Sequence, residues 1–381
     1  MARILRIVTT GGGTGGHFFP LLAIGEALLE KAKIEQKQIK VYFFSTDPYD
    51  STLLKNLNIS FVRIPSGKRR TYFSLENLTD LFKIFFGCII AFFRLLFLYP
   101  DVVFGKGGYA SFPTLFAARI LRIPVIIHES DTVPGRVNLW AGKFANRIAV
   151  SFSDAVDYFS PNKSAVTGQP IRKTLLGKAN KEESLRFFSI DTVNSIPIIA
   201  IFGGSQGAQR INDTILDLLP SLLEHYILIH QTGENNYKEV INRAQFVLQK
   251  SDYKERYHAY PFFSEEMLLK LSSITHLFIS RSGSMIFEFA AWGIPAVLVP
   301  LPTEISRDQT KNAFAYARAG CGTVLEEKNL TPHVFLASLK QILGDSTVYQ
   351  EMVSASSVFA KLDAAEKIAG EILHVAEYHD K

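Results

Sequence analysis

Two glycine-rich loops hold the residues of this 381-residue chain best suited to binding a phosphate. The first, Gly11-Gly12-Gly13-Thr14-Gly15-Gly16-His17, follows a short β-rich run from Ile4 to Thr10 and opens a helical pattern that continues to Leu29. The second, Gly203-Gly204-Ser205-Gln206-Gly207-Ala208-Gln209, follows the apolar run Ile196 to Phe202 and precedes a helix expected from Arg210 to Leu219. A strand, a glycine loop and a helix in that order gather backbone N–H groups at the positive end of a helix, where an anion is stabilised. Glycine suits such a loop because a Cβ would obstruct both a left-handed turn and close approach to a phosphate. Either loop alone is also compatible with a tight βα turn that binds nothing. Their recurrence, about 190 residues apart, divides the chain into two α/β units of similar size.

The elements between the loops fit that division. Val41–Phe44, Val102–Phe104, Val125–Ile127, Ile148–Val150, Ile227–Ile229, Leu277–Ile279 and Ala296–Val299 are short apolar runs separated by helix-length segments. Continuous apolar strands of this length belong to parallel sheets covered on both faces. The expected fold is therefore α/β: two doubly wound, Rossmann-like domains facing a cleft, with ligands at the carboxyl ends of the strands. Residues 1–167 form the first domain and 168–347 the second. The Gly- and Pro-punctuated stretch Val166–Arg172 is the hinge, and a C-terminal helix, about 348–381, packs back on the first domain. Lys178 to Ser195 is polar and is expected to be a connector.

Composition narrows the partners. With 47% hydrophobic and 20% charged residues, the chain can bury sizeable cores and is not a disordered polymer. Two cysteines, Cys88 and Cys321, cannot build a disulfide framework and indicate a reducing compartment. The nine histidines are scattered, and none joins a cysteine or histidine at zinc spacing, so no metal is expected. A net charge of +5 fits an anionic partner. Without a nucleic-acid-reading motif, that partner is a membrane surface or a phosphate-bearing substrate. The N-terminal apolar stretch is only a strand's length and is not a signal peptide, which predicts a cytoplasmic protein. Leu81 to Leu98, LFKIFFGCIIAFFRLLFL, has an uninterrupted apolar core of about ten residues, half of what a bilayer-spanning helix needs. It is either a buried core helix or an interfacial one, with Lys68, Arg69 and Arg70 meeting anionic lipid.

Seven motifs in series carry a resemblance. They are GGGTGGHFFPLLAIGEAL (Gly11 to Leu28), GKGGYASFPTLFAA (Gly105 to Ala118), HESDTVPGRVN (His128 to Asn138), TGQPIR (Thr167 to Arg172), GGSQGAQRIN (Gly203 to Asn212), SRSGSMIFEFAAWGIPAVLVPLP (Ser280 to Pro302) and RDQTKNA (Arg307 to Ala313). In order and spacing the chain resembles the MurG-type transferases of glycosyltransferase family 28, inverting, metal- and cofactor-independent enzymes of the two-Rossmann (GT-B) architecture. The resemblance implies transfer of N-acetylglucosamine from UDP-N-acetylglucosamine to a lipid-linked N-acetylmuramyl peptide, lipid I, at the cytoplasmic face of the cell membrane. Other cell-wall synthesis proteins would be further partners.

The resemblance also implies roles for individual residues. In the C-terminal domain, Ser205 would bond the donor diphosphate, Arg172 would add positive charge there, and Phe263 would lie against the uracil. Ser284 to Glu288 would form the nucleoside wall, with Glu288 accepting from the ribose hydroxyls, and Gln309 would reach the sugar. In the N-terminal domain, Thr14, Gly15 and Gly16 would meet the acceptor diphosphate and also line the cleft near the donor. His17 is the leading candidate for the general base, since histidine titrates near neutrality. Glu129, at the end of an apolar strand, is the second candidate. Asp131 stands where many family members have Asn, and a carboxylate accepts where an amide could donate. The segment Gly283 to Glu288 is one residue shorter than the commonest family pattern. The alternatives are a GT-B transferase acting on a membrane glycerolipid, distinguished by the GKGGYASFP and HESDTVPG motifs, and a non-catalytic sugar-nucleotide sensor. A nicotinamide-dependent oxidoreductase fits poorly: Asp47 comes about 30 residues past the first loop, where about 20 are expected.

Overall fold

The computed structural model describes residues 3–68, 76–190, 196–203 and 208–378. They form two compact α/β units: Met1–Lys173 together with Lys361–Lys381, and Thr174–Ala360.

The first unit is built on seven strands: β1 (Ile4–Thr10), β2 (Gln38–Ser45), β3 (Ser60–Arg63), β4 (Val102–Gly105), β5 (Val125–Glu129), β6 (Arg147–Val150) and β7 (Ser164–Val166). They lie in the order β3-β2-β1-β4-β5-β6-β7, and every neighbouring pair is parallel. β4 and β5 are buried along their whole length because helices cover both faces of the sheet. On one face Phe18, Leu21, Leu22, Ile24 and Leu28 of the helix Gly15–Ile34 share a core with Ile368, Ile372 and Leu373 of the C-terminal helix Ala364–Tyr378. On the other, Ala91 and Leu95 of the helix Glu76–Leu98 pack with Leu115, Ala117 and Ala118 of the helix Phe112–Ile120. The strand order reverses between β1 and β4, so the loops leaving these two strands diverge and expose backbone at the carboxyl edge, where doubly wound sheets bind ligands.

The second unit repeats the plan with β8 (Ile198–Phe202), β9 (Ile227–Gln231), β10 (Tyr257–Tyr260), β11 (Leu277–Ser280), β12 (Ala296–Leu298) and β13 (Gly322–Val324). Its order is β10-β9-β8-β11-β12-β13, again parallel throughout, with the reversal between β8 and β11. The helix after the second glycine loop runs Gln209–His225, longer than expected, and carries Pro220 inside it. The stretch expected to be a connector is partly folded: the helix Lys181–Phe187 buries Leu185, and Ser273 donates to Ser184 at 2.9 Å. The first part of the C-terminal segment stays with this unit. Phe359, closing the helix Ser346–Phe359, stacks on Phe287 at 5.4 Å and meets Tyr316 edge-on at 5.2 Å. The return to the first unit thus begins at Lys361.

The apolar helix Glu76–Leu98 buries one narrow stripe, Asp80, Gly87, Ala91 and Leu95, spaced at helical period. Gly87 is required there, because a Cβ would lie 1.9 Å from the carbonyl oxygen of Pro65. Phe82, Phe85, Phe86, Phe93 and Phe97 all face outward, Phe97 with 82% of its surface exposed. A buried core helix would show the opposite pattern, so of the two expectations for this segment the core reading is ruled out. Arg69 and Arg70 lie outside the described residues; Lys68 is exposed, its Nζ 5.4 Å from the Tyr109 ring.

Candidate active site

In the first unit the loop after β1 turns through Gly12 and Gly13, both with positive φ, and enters the 20-residue helix Gly15–Ile34. Thr14 occupies the N-cap position, yet its side chain does not cap the helix. Its Oγ1 lies instead 2.9 Å from Nδ1 of His17. The first-turn amides of Gly15 and Gly16 precede the first intrahelical bond and point out of the helix end. No acidic residue sits in that first turn, which leaves the positive end of the helix uncompensated.

His17 is held from two sides. Thr14 contacts Nδ1, and Gly108 lies against the opposite edge: a Cβ on Gly108, itself at φ +77°, would sit 3.2 Å from Nε2. If Nδ1 carries the proton and donates it to Thr14, Nε2 presents a lone pair. The ring keeps some contact with solvent, but burial, reinforced by the Lys106 charge, pushes its titration down to about 3. His17 is therefore neutral throughout the physiological range.

Glu129, at the end of β5, has both carboxylate oxygens engaged. Oε1 accepts from the amide of Asp131 at 3.0 Å, and Oε2 accepts from the amide of Gly135 at 3.0 Å and from Asn138 Nδ2 at 2.9 Å. Burial raises its titration, the Asp131 charge adds to this, and Lys106 opposes it. The carboxylate thus organises the 129–138 loop. Asp131 is half-buried on that loop. His128 is fully buried with Nε2 3.0 Å from the carbonyl of Gly168, and burial holds it well below the usual histidine range.

One residue missed by sequence reasoning is Lys106. It follows β4 directly and is 2% exposed. Its Nζ donates to Ser130 Oγ, which in turn donates to Gln169 Oε1 at 2.9 Å. Since β4 lies between β1 and β5, Lys106 stands between the His17 loop and Glu129. Its presence in the motif Gly105-Lys106-Gly107-Gly108 was the available signal.

Arg172 belongs to the first unit by its contacts: its guanidinium lies over the Phe19 ring, 4.0 Å from the centroid, and is almost buried. Phe19 in turn meets Tyr49 edge-on at 5.6 Å.

In the second unit Ser205 falls outside the described residues. Phe263, expected to offer its ring to a uracil, is 1% exposed and packs against Phe202 at 5.0 Å. A ring sealed in the core has no face to offer, so that expectation is corrected. The neighbouring Phe262 is 44% exposed and is the aromatic available there. Ser284 is half-buried at the start of the helix Met285–Ala291, whereas Ile286 and Phe287 are core residues. Glu288 sits in the first turn of that helix, largely buried. The approach to the preceding turn is open: a Cβ on Gly283 would meet no atom within 4 Å. Gln309 joins two strand-end loops, since its carbonyl accepts from Ser282 Oγ at 2.6 Å and its Oε1 from the Leu301 amide at 3.3 Å. Ser284, Glu288 and Gln309 thus gather at the carboxyl ends of β11 and β12.

Residues 7–150 match the N-terminal domain of glycosyltransferase family 28, and residues 198–368 match its C-terminal domain. The chain belongs to glycosyltransferase family 28. A protein of Treponema denticola named UDP-N-acetylglucosamine--N-acetylmuramyl-(pentapeptide) pyrophosphoryl-undecaprenol N-acetylglucosamine transferase is similar to this family 28 chain at 36% identity, over 96% of this chain and 94% of the relative. A Bacillus cereus protein of the same name, numbered 2, is 35% identical over 98% of this chain and 99% of its own length. Among solved structures, MurG of Acinetobacter baumannii is similar with a TM-score of 0.73 and 26% identity, covering 97% of this chain and 99% of that one. The UDP-GlcNAc 2-epimerase of Neisseria meningitidis, at 18% identity and a TM-score of 0.67, shares the fold alone.

Proposed function

We propose that this family 28 chain transfers N-acetylglucosamine from UDP-N-acetylglucosamine to lipid I, the undecaprenyl-pyrophosphoryl N-acetylmuramyl peptide, giving lipid II with inversion at the anomeric carbon. The observation that carries this reading is the collinear similarity, over 96–98% of the chain, to enzymes named for that transfer. The geometry supplies a role for each part. The acceptor's diphosphate, a diester carrying two negative charges, meets the open amides of Gly15 and Gly16 and the positive helix end. Neutral His17 takes the proton from the acceptor hydroxyl as that oxygen attacks the anomeric carbon, and the bond to UDP breaks on the opposite face. The diphosphate's charge raises the basicity of the imidazole when the acceptor arrives, opposing Lys106. Glu129 shapes the acceptor loop and leaves the base role to His17.

Donor binding falls to the second unit, where the Ser284 turn, Glu288 and Gln309 surround an open approach and Phe262 offers a ring to the uracil. Departure of UDP needs positive charge, which the second glycine loop with Ser205, and Arg172, would provide. The outward phenylalanines of the helix Glu76–Leu98 dock the enzyme on the cytoplasmic face of the membrane, where its lipid substrate resides. The helix lies in the interface and does not span it, because its buried stripe is seated along the unit. Exposed Lys68, beside Tyr109 and the first glycine loop, adds attraction to anionic lipid.

The test is transfer of labelled N-acetylglucosamine from UDP to a lipid I analogue, with EDTA present. Turnover that persists in EDTA and falls about 10²–10⁴-fold in His17→Ala agrees with the reading. A folded protein that binds the donor but transfers nothing to lipid I contradicts it.

A further inference from the structure

The chain leaving β12 reads Val299-Pro300-Leu301-Pro302, and its two prolines have no N–H to give. The Val299 amide still donates to the Ser280 carbonyl at 2.8 Å, but beyond it this loop cannot hold itself to the sheet by a ladder. Arg281, the first residue past β11, holds it instead. Its Nη1 donates to the carbonyls of Val299 at 2.9 Å and Pro300 at 3.3 Å, while Nη2 pairs with Glu327, just beyond β13. Both side chains are largely buried, at 13% and 20% exposure. One guanidinium thus ties together the ends of β11, β12 and β13, a task for a planar fork and not for a point charge. Leu301 supplies the one N–H between the two prolines, and it donates to Gln309 Oε1 at 3.3 Å. The Leu301 carbonyl accepts from Thr310 Oγ1 at 3.2 Å, and the Gln309 carbonyl accepts from Ser282 Oγ at 2.6 Å. With Oε1 taken, Nε2 is the group that Gln309 can turn to a ligand.

We propose that Arg281 is a positioning residue for the donor sugar: by clamping the Val299 and Pro300 carbonyls it aims the Leu301 amide, which holds Gln309 with Nε2 toward the sugar. This rests on the reading of the second unit as the UDP-N-acetylglucosamine site. Arg281 is not itself a partner for the donor's diphosphate, because its two terminal nitrogens are spent on two carbonyls and a carboxylate, and Glu327 offsets its charge. Neither Lys nor an uncharged residue can replace it, since a single ammonium does not span two adjacent carbonyls and Glu327 at once. An arginine that merely pinned the sheet edge would affect every ligand of this unit alike. An arginine that acts through Gln309 affects only a ligand that carries the sugar. UDP has the nucleoside and the diphosphate without N-acetylglucosamine, so UDP and UDP-N-acetylglucosamine separate the two roles.

The experiment is calorimetric titration of the full chain with UDP and with UDP-N-acetylglucosamine, on wild type, Arg281→Lys, Gln309→Ala and the double variant, each checked for folding by thermal unfolding. Arg281→Lys should weaken UDP-N-acetylglucosamine roughly 3–10-fold, the loss of about one hydrogen bond to an uncharged hydroxyl, and leave UDP unchanged. Gln309→Ala should do the same. Because the two residues act in one chain of contacts, the double variant should bind no more weakly than Gln309→Ala alone. An equal loss for both nucleotides, no loss for either, or losses that add in full in the double variant overturns the proposal. Should Arg281→Lys fail to fold, Glu327→Gln decides in its place: freeing the guanidinium from its second tie must weaken UDP-N-acetylglucosamine and spare UDP. A wild type that binds neither nucleotide overturns the donor-site reading and the proposal with it. If the selective loss is seen but no sugar reaches lipid I, the reaction assignment falls and the role of Arg281 stands.

Discussion

At the scale of residues, the site depends on which member of a neighbouring pair turns inward. Phe262 and Phe263 follow β10 in a loop without periodicity, and the packing of Phe263 on Phe202 and Tyr260 decides between them. Two substitutions should therefore separate cleanly. Phe263→Ala should destabilise the fold by about 3–5 kcal/mol, the range for a buried phenylalanine. Phe262→Ala should leave stability nearly unchanged and raise KM for UDP-N-acetylglucosamine several-fold. Denaturant unfolding and donor kinetics on both variants check this, and a large stability loss for Phe262→Ala would contradict it. Glu129 was legible as a strand-end carboxylate, but its saturation by Asp131, Gly135 and Asn138 depends on how the loop closes, which sequence spacing does not reveal. Lys106 was hidden for a related reason. A lysine between glycines suggests a solvated turn, and only the neighbourhood β1-β4-β5 places it between the two acid–base groups.

At the scale of elements, the interior strands were legible and the edges were not. The strands absent from the sequence reading are β3, β7, β10 and β13, the four outermost of the two sheets. Edge strands are covered incompletely and need no continuous apolar run: Ser60–Arg63 and Tyr257–Tyr260 contain no fully buried residue. The apolar helix was legible as apolar and short of certain placement, because all-round hydrophobicity does not mark which stripe a neighbour will cover. Its structure yields a direct test. Replacing Phe82, Phe85 and Phe86 with Ser removes three exposed rings and should weaken binding to anionic vesicles by at least about 10²-fold, since each ring contributes roughly 1.5–3 kcal/mol when buried. Sedimentation with vesicles measures it, and folding should be unaffected because none of these rings is in the core. Unchanged binding would contradict membrane docking through this face.

At the scale of the whole molecule, buried neutral histidines couple stability to pH. His230 is enclosed in the second unit, with Nδ1 2.9 Å from the Tyr257 hydroxyl and Nε2 3.0 Å from Asn212 Oδ1, and burial pushes its titration down to about 3. The folded state thus refuses a proton that the unfolded chain binds below about 6.5. The stability contributed by this group is fully present above that value and declines as pH falls toward 3, by up to about 1.4 kcal/mol per pH unit. His128 adds to the slope in the same direction. Urea unfolding between about pH 7 and 4 should show the loss, and His230→Gln should make it shallower; equal slopes would contradict this account. The two-unit α/β plan that houses these groups was legible from the two glycine loops. The division at Lys173 and Lys361 was less so, because it depends on contacts such as Phe359 with Phe287 that join residues distant in sequence.

The most direct measurement of the central claim is transfer of labelled N-acetylglucosamine from UDP to a lipid I analogue by wild type and His17→Ala, each shown to be folded and to bind the donor. Labelled lipid II from the wild type and a loss of about 10²–10⁴-fold in the variant are the predicted results. Equal turnover by the two would remove His17 from the chemistry, and no turnover by either would contradict the proposed reaction itself.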